Sequence, residues 1–337
     1  MPTVIRLCLM PPLFSQSQDP VQDPVQDPVM TSSALPRGVG LDALVPLADL
    51  ETRCGKGYGL AVCPFLRLLV VTCDDDTLSV FALPRSPAED DGAPSTGLGL
   101  VCTLGGVCPF LWFRFSEGGG WMAFTGPATS RLLLVTDAGH DAVHVIDISN
   151  QKHMGFVAAP GTIAGPRGVA ARDTLVAVSA WTWTSDHVVQ VYEGSGSSWT
   201  SLRVVGCRFS IPSGSADGML KYPFGVRFAG DGTGLAVVDS GNNRVSFFRV
   251  GDGSFVRHLD TDLDDLWDVE ECEGGWLLAC DGLEAIVFLD ANGVDRAMLG
   301  CTGKGAGQFQ TPSALALVPG LGLVVREVDG CRIQVFG

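Results

Sequence analysis

The side chains able to do chemistry in this chain are few, and their spacing does not assemble a reaction centre. Five histidines, at positions 140, 144, 153, 187 and 258, are the only imidazoles in 337 residues. His140 and His144 stand four apart, the interval that puts two metal ligands on one face of a helix. Their surroundings alternate like a strand instead: His144 lies between Val143 and Val145, and His140 falls in the turn before them. Surface or half-buried imidazoles are therefore expected. Acidic runs at Asp74–Asp76 and Thr261–Asp268 offer the oxygen atoms that hard cations prefer. They lack a calcium-loop spacing, so a solvated acidic surface is expected. No HExxH or GxSxG motif occurs. The glycine-rich GKGAGQF (303–309) has a lysine but runs into a strand pattern, so it does not form a phosphate cradle. No catalytic set, cofactor or bound metal is expected. The eleven cysteines are an odd number without a CxxC pair. Several, such as Cys280 in GWLLACDG, sit in apolar strand patterns, which points to free thiols in a reducing, cytoplasmic compartment.

The feature best suited to binding is WTWT (181–184), two tryptophans where a polar turn is due. Exposed tryptophans in a loop would suit a binding hot spot; packing of the loop over its neighbour is the competing expectation.

These residues must be positioned by many short elements. Hydrophobic residues make up 46% of the chain and charged ones 18%, with 43 Gly and 20 Pro, which suits strands joined by tight turns. No long segment keeps a 3.6-residue period, so helix should be scarce. The net charge of −15 repels nucleic-acid phosphates and anionic lipid, and no run of Lys or Arg opposes it. No stretch approaches the roughly 18 apolar residues that span a bilayer. Neither nucleic acid nor membrane is an expected partner, and a soluble monomer is expected. Near the amino terminus, Pro11 and Pro12 cut short the apolar stretch after Arg6, unlike a secretory leader. QDPV occurs three times between Gln18 and Val29, and a proline every fourth residue blocks helix. Residues 1–36 are expected to lack fixed structure, with Met30 as an alternative start, and 37–337 to form the folded unit.

An apolar strand, a polar turn and a second apolar strand recur at 66–81, 131–148, 174–192, 234–248, 275–289 and 322–336. Each is preceded by a short strand containing small residues: GLAV at Gly59, WMAF at Trp121, GVAA at Gly168, GVRF at Gly225, LWDV at Leu266 and ALAL at Ala314. A period near 40 residues with four strands per unit predicts an all-β, six-bladed β-propeller of four-stranded antiparallel blades. The sixth copy ends at Gly337 with no room for an outer strand. Residues 44–52 should supply it by pairing with the strand ending at Phe336, so that the ring closes and leaves no open edge. Pro109–Gly120 resists this parse and is the place where an extra hairpin, or a seventh blade, would hide.

Two copies carry a family resemblance. GKGAGQFQTPSALAL…REVDGCRIQVFG is similar to an NHL repeat, matching at Gly305, Phe309, Pro312, Arg332, Ile333 and Phe336. The fourth copy matches at Pro223, Gly225, Asp239, Asn242, Arg244, Val245 and Phe248, and the third at Gly165, Pro166 and Gly168; the others are degenerate. The resemblance spans Leu41 to Gly337. It implies a non-catalytic scaffold whose ring face binds a protein or peptide, as NHL propellers do in ubiquitin ligases. RING and B-box modules are absent from this sequence, so such a role would be that of an adaptor. The alternative implied by similar propellers is a hydrolase or lyase with calcium or zinc at the channel mouth. Tyr58, Trp121, Arg167, Phe224, Trp267 and Ser313 should stand at that mouth. Asp239 with Arg244, and Glu327 with Arg332, should meet across tight turns in a structural role, the carboxylate also capping turn NH groups. Arg227 and Asp268, on the inner strands, should form an ion pair.

Overall fold

Twenty-four strands, grouped four by four, make up the computed structural model, which describes residues 46–51, 57–63, 65–73, 77–83, 99–104, 120–126, 131–183, 187–206, 215–293 and 296–337. β1 (Pro46–Glu51) comes first and belongs to the last blade. Blade 1 is β2 (Leu60–Cys63), β3 (Leu68–Thr72), β4 (Leu78–Ala82) and β5 (Gly99–Leu104). Blade 2 is β6 (Met122–Thr125), β7 (Leu132–Asp137), β8 (Ala142–Asp147) and β9 (Lys152–Ala158). Blade 3 is β10 (Pro166–Arg172), β11 (Leu175–Ala180), β12 (Val188–Ser195) and β13 (Ser198–Val205). Blade 4 is β14 (Pro223–Phe228), β15 (Gly234–Asp239), β16 (Arg244–Arg249) and β17 (Phe255–Asp260). Blade 5 is β18 (Leu266–Cys272), β19 (Gly275–Cys280), β20 (Ala285–Asp290) and β21 (Arg296–Leu299). Blade 6 is β22 (Pro312–Val318), β23 (Gly322–Glu327), β24 (Arg332–Phe336) and β1. Every pairing within the six sheets is antiparallel, an isolated parallel bridge joins Thr302 to Phe309, and the only helix among the described residues is a single 3-10 turn at Ser240–Asn242.

The ring closes as the repeat count requires. β1 pairs with β24 from Pro46 opposite Phe336 to Glu51 opposite Arg332. Residues 1–36, the acidic run 74–76 and all of 109–120 but Gly120 lie outside the described residues.

The alternation of side chains builds one apolar core at every junction between blades. In β7, Leu133 and Val135 pack toward blade 1 while Leu134 packs toward blade 3. In β23, Leu323 and Val325 face blade 5, and Val324 faces blade 1. Six such clusters run round the ring, including the closing junction of blades 6 and 1. Strands buried on both faces must be apolar throughout, which explains runs such as RLLLV and GLAVV. The inner strands crowd the axis. A Cβ on Gly59 would lie 1.7 Å from the Gly120 carbonyl oxygen, and one on Gly168 2.3 Å from that of Phe224. The small residues of the repeat are thus what lets neighbouring inner strands touch.

Candidate functional site

Each inner strand starts at the same end of the channel, and one residue meets the axis there: the strand's second residue in blades 3 to 6, and a residue just before the strand in blades 1 and 2. The register slips at this point in blades 3, 4, 5 and 6, a bulge that re-aims the side chain. The six residues so placed are Tyr58, Trp121, Arg167, Phe224, Trp267 and Ser313. Four form one aromatic group. Tyr58 lies 6.0 Å from Trp121 and 5.4 Å from Trp267, and the two tryptophans are 6.0 Å apart, with interplanar angles of 24°, 13° and 16°. Three near-parallel rings at almost equal mutual distances cannot form a column; they pave the mouth as a triangle. Phe224 joins them, 4.9 Å from Trp267 and 5.8 Å from Trp121. Trp121 is buried, and Tyr58, Phe224 and Trp267 are half-buried. The other two residues turn away. Ser313 is fully buried, and its hydroxyl donates to the carbonyls of Tyr58 and Arg326. Arg167 lies over the Trp181 ring, 4.6 Å from its centroid.

Trp181 and Trp183 divide between the two expectations, one packed and one in solvent. Trp183 is 78% exposed, but Trp181 is only 7% exposed. The Trp181 amide donates to the Gly165 carbonyl, which pins this turn onto the connection entering β10. Its indole then fills the corner between blades 3 and 4, edge-on to Tyr222 at 4.8 Å, Phe224 at 5.7 Å, His187 at 5.9 Å and Trp183 at 5.6 Å. The consequence was not legible in the sequence: Phe224 joins the paved mouth to the Trp181 corner, making one aromatic tract from Tyr58 to Trp183. The indole nitrogens of Trp121 and Trp181 are buried without a hydrogen-bond partner.

Around this tract, buried carboxylates at the ends of the second strands act as hubs. Asp239 accepts from Arg244 Nε at 2.7 Å, from the Lys221 amide at 2.6 Å and from Ser246 Oγ at 3.2 Å. Arg244 in turn reaches the carbonyls of Ser215 and Met219. Glu327 accepts from Arg332 Nε at 2.7 Å, Gln334 Nε2 at 2.8 Å and the Gln310 amide at 2.8 Å. The backbone amides capped in blades 4 and 6 belong to the loop before the inner strand, not to the turn itself, so each hub ties two loops together. Blade 2 has a variant. Asp137 binds His140 Nδ1 at 2.8 Å and His144 Nε2 at 3.2 Å, and His144 Nδ1 meets His153 Nε2 at 3.1 Å. His144 is fully buried rather than a surface imidazole. Two histidines four apart in a hairpin thus reach one carboxylate; the signal was the Asp that opens the turn. Burial would raise the Asp137 pKa, but the bonds from His144 and His140 outweigh it and hold it below the ordinary value.

Further along the channel, Arg227 lies 3.5 Å from Asp268 and 2.8 Å from Glu270. The expected pair is thus a triad, because alternate residues of β18 point the same way. Asp268 also accepts from the amides of Val269 and Leu315, and Arg227 donates to the carbonyls of Val269 and Leu315. Burial, opposed by Arg227 but supported by Asp268, pushes Glu270 up to about 7. In blade 4, Asp239, Ser246 and His258 form a chain, but the serine stands in the middle and is fully buried, so no nucleophile is presented. Among the described residues no three His, Cys, Asp or Glu side chains are grouped to hold a metal ion.

Six closed antiparallel blades around an axis, with one mouth paved by aromatic rings, define a six-bladed β-propeller. Comparison with solved structures agrees: a propeller chain from the crystal structure of a nidogen/laminin complex superposes with a TM-score of 0.51 at 14% identity, over 72% of this chain and 80% of that one. At that identity the likeness concerns the fold alone. No protein-family model matches the sequence, and no curated protein matches it. The NHL resemblance therefore rests on the repeat motifs themselves.

Proposed function

We propose that the protein is a non-catalytic interaction scaffold whose channel mouth, on the face carrying Trp183, binds a protein or peptide. The carrying observation is the continuous aromatic tract from Tyr58 to Trp183, with a 78% exposed tryptophan at its end. Rigid aromatic side chains give large contact area at small entropic cost, and they dominate interface energetics where they cluster. The hubs hold the surrounding loops, so the surface is built before a partner arrives. The fold-sharing propeller in the nidogen/laminin complex is an instance of this architecture engaged by another protein. An adaptor role of the kind NHL propellers play in ubiquitin ligases follows if the motif resemblance extends to function.

Affinity capture from the native source, run in parallel with Trp183→Ala, tests the assignment. A partner retained by the natural chain and lost with the variant is the expected result. Equal capture by both refutes it. The alternative, a propeller hydrolase or lyase, is tested by elemental analysis of protein purified without chelator: one calcium or zinc per chain moves the enzyme to first place.

A further inference from the structure

Acid borders the paved mouth on one side. Asp265 precedes β18, Asp281 and Glu284 lie in the turn between β19 and β20, and Asp329 lies in the turn between β23 and β24, all at the end of the channel where the inner strands begin. Trp267, one of the paving rings, lies beside Asp281, whose backbone amide donates to the Asp265 carbonyl. Burial first, and then mutual repulsion within this group, raises the pKa values of Asp281 and Glu284. Elsewhere the protein answers its buried acids with a cation: Asp239 with Arg244, Glu327 with Arg332, Glu270 with Arg227. Among the described residues no lysine or arginine forms an ion pair with Asp265, Asp281 or Glu284. Glu284 accepts from the Thr311 amide and so ties this turn to the entry of blade 6, but gathered like charges cost stability, and Asp265 and Asp281 add to that charge. The far side of the tract is cationic, with Arg167 over Trp181 and Lys221 by Tyr222. Arg167 also demonstrates that these ring faces accept a guanidinium.

We propose, building on the interaction surface above, that the mouth receives an arginine of a partner polypeptide. The guanidinium lies on the Trp267 and Tyr58 rings, and the carboxylates of Asp281 and Asp265 meet its charge. An apolar residue nearby in the same segment lies against Trp183. Planar stacking combined with carboxylate bonding selects arginine over lysine. The ring contacts of 4.9, 5.7 and 5.6 Å through Phe224 and Trp181 put Trp183 at most about 16 Å from Trp267, the reach of roughly five extended residues. The chain's own first 36 residues are a poor occupant: they hold Asp19, Asp23 and Asp27 against a single Arg6. A second copy, itself at −15, is repelled.

The test is selection from a phage library of random dodecapeptides on the immobilised full chain, followed by affinity measurement of one enriched peptide on four proteins. These are the natural chain, Trp183→Ala, the double variant Asp265→Asn/Asp281→Asn, and Asp231→Asn/Asp252→Asn. The last pair removes the same charge from the opposite face, where both residues only brace their own turns. Enriched peptides are expected to carry arginine near an apolar residue. Affinity should fall at least about tenfold for the mouth double variant and for Trp183→Ala, and less than about twofold for the remote pair. Arginine-free peptides that still depend on Trp183 overturn the arginine assignment and leave the interaction surface standing. Peptides indifferent to Trp183, equal losses in both charge variants, or an empty selection overturn both.

Discussion

The hubs and the mouth lie side by side at one end of the propeller, and they are built on opposite terms. At the hubs every carboxylate is spent. Glu327 is wholly buried and bonded to a guanidinium, an amide side chain and a backbone NH, while Arg332 also reaches the carbonyls of Lys304, Gly303, Gly305 and Gln308. At the mouth, two indole nitrogens have no partner among the described residues, one tryptophan is in solvent, and Asp265, Asp281 and Glu284 gather without an ion pair to a described lysine or arginine. A site optimised for stability satisfies its polar atoms. Among the described residues, buried atoms without a partner also occur singly elsewhere, at Thr125 Oγ1 and Arg203 Nε; at the mouth they coincide with exposed aromatic surface and gathered acids, and function is to be sought there.

The comparison breaks first if the hubs are not structural. Arg332→Ala leaves Glu327 buried without its cation and strands several loop carbonyls. It should cost about 3–5 kcal/mol in denaturant unfolding, with a similar loss for Arg244→Ala. A loss under about 1 kcal/mol for both would show that the hubs are not what holds the loops. Replacing both members of the pair, Glu327→Gln with Arg332→Met, should recover part of the loss, because no unpaired charge remains.

The channel triad sharpens the contrast from a third direction. Glu270, pushed up to about 7 by burial, binds its proton more tightly folded than unfolded. Its contribution is therefore complete below its ordinary value of 4.5 and is lost as pH rises toward 7. Glu270→Gln removes the cost of the charge. Since 16% of the Glu270 side chain remains in solvent, the gain is limited to about 2 kcal/mol at pH 8, falling to nothing near pH 4. A variant less stable than the natural chain at pH 8 would mean that the ion pair with Arg227 outweighs the burial.

The architecture was legible because a repeated pattern constrains itself. Six copies of one strand–turn–strand phrase predict six blades, and the CxGKG echo between Cys54 and Cys301 marks where the ring closes. The hub pairs were legible for the same reason: a residue ending one strand and one beginning the next must meet. Glu270 could have been found by counting two residues along the strand from Asp268. The aromatic tract could not, because Phe224 and Trp181 are 43 positions apart and come from different blades. Their contact depends on how a turn without the usual acid folds down, which no local spacing records. Nor does hydropathy separate Trp181 from Trp183: identical residues in one tetrapeptide take opposite environments.

Blade 2 gives a smaller, pH-dependent version of the hub. The imidazole of His153 is pushed below its ordinary pKa, chiefly by burial and then by the charge of His144. Its contribution is present while it is neutral and is lost as pH falls through 6.5 and below. Asp137, held low by its two histidines, gives way only at more acid pH, below its ordinary 3.8. Unfolding free energy should thus fall between about pH 7.5 and 5.5, and His153→Gln should flatten that slope. An unchanged slope in the variant would place the titration elsewhere.

The smallest stability effect belongs to the most exposed aromatic residue, and it separates the two regions most clearly. Among the described residues Trp183 makes edge-type ring contacts with Trp181 and Tyr222, and it keeps 78% of its surface in water. Removing it opens no enclosed cavity and strands no hydrogen bond. Trp183→Ala should shift unfolding by no more than about 0.5 kcal/mol, as for a surface site away from caps and cores. Partner capture should nevertheless be lost, because an anchor at the end of an aromatic tract contributes to binding through area buried only in the complex. Arg332→Ala should act in the opposite sense under conditions where it remains folded: large in stability, small in binding. If Trp183→Ala instead destabilises the protein by 2 kcal/mol or more, Trp183 is part of the packing between blades 3 and 4, and the mouth differs from the hubs only in composition.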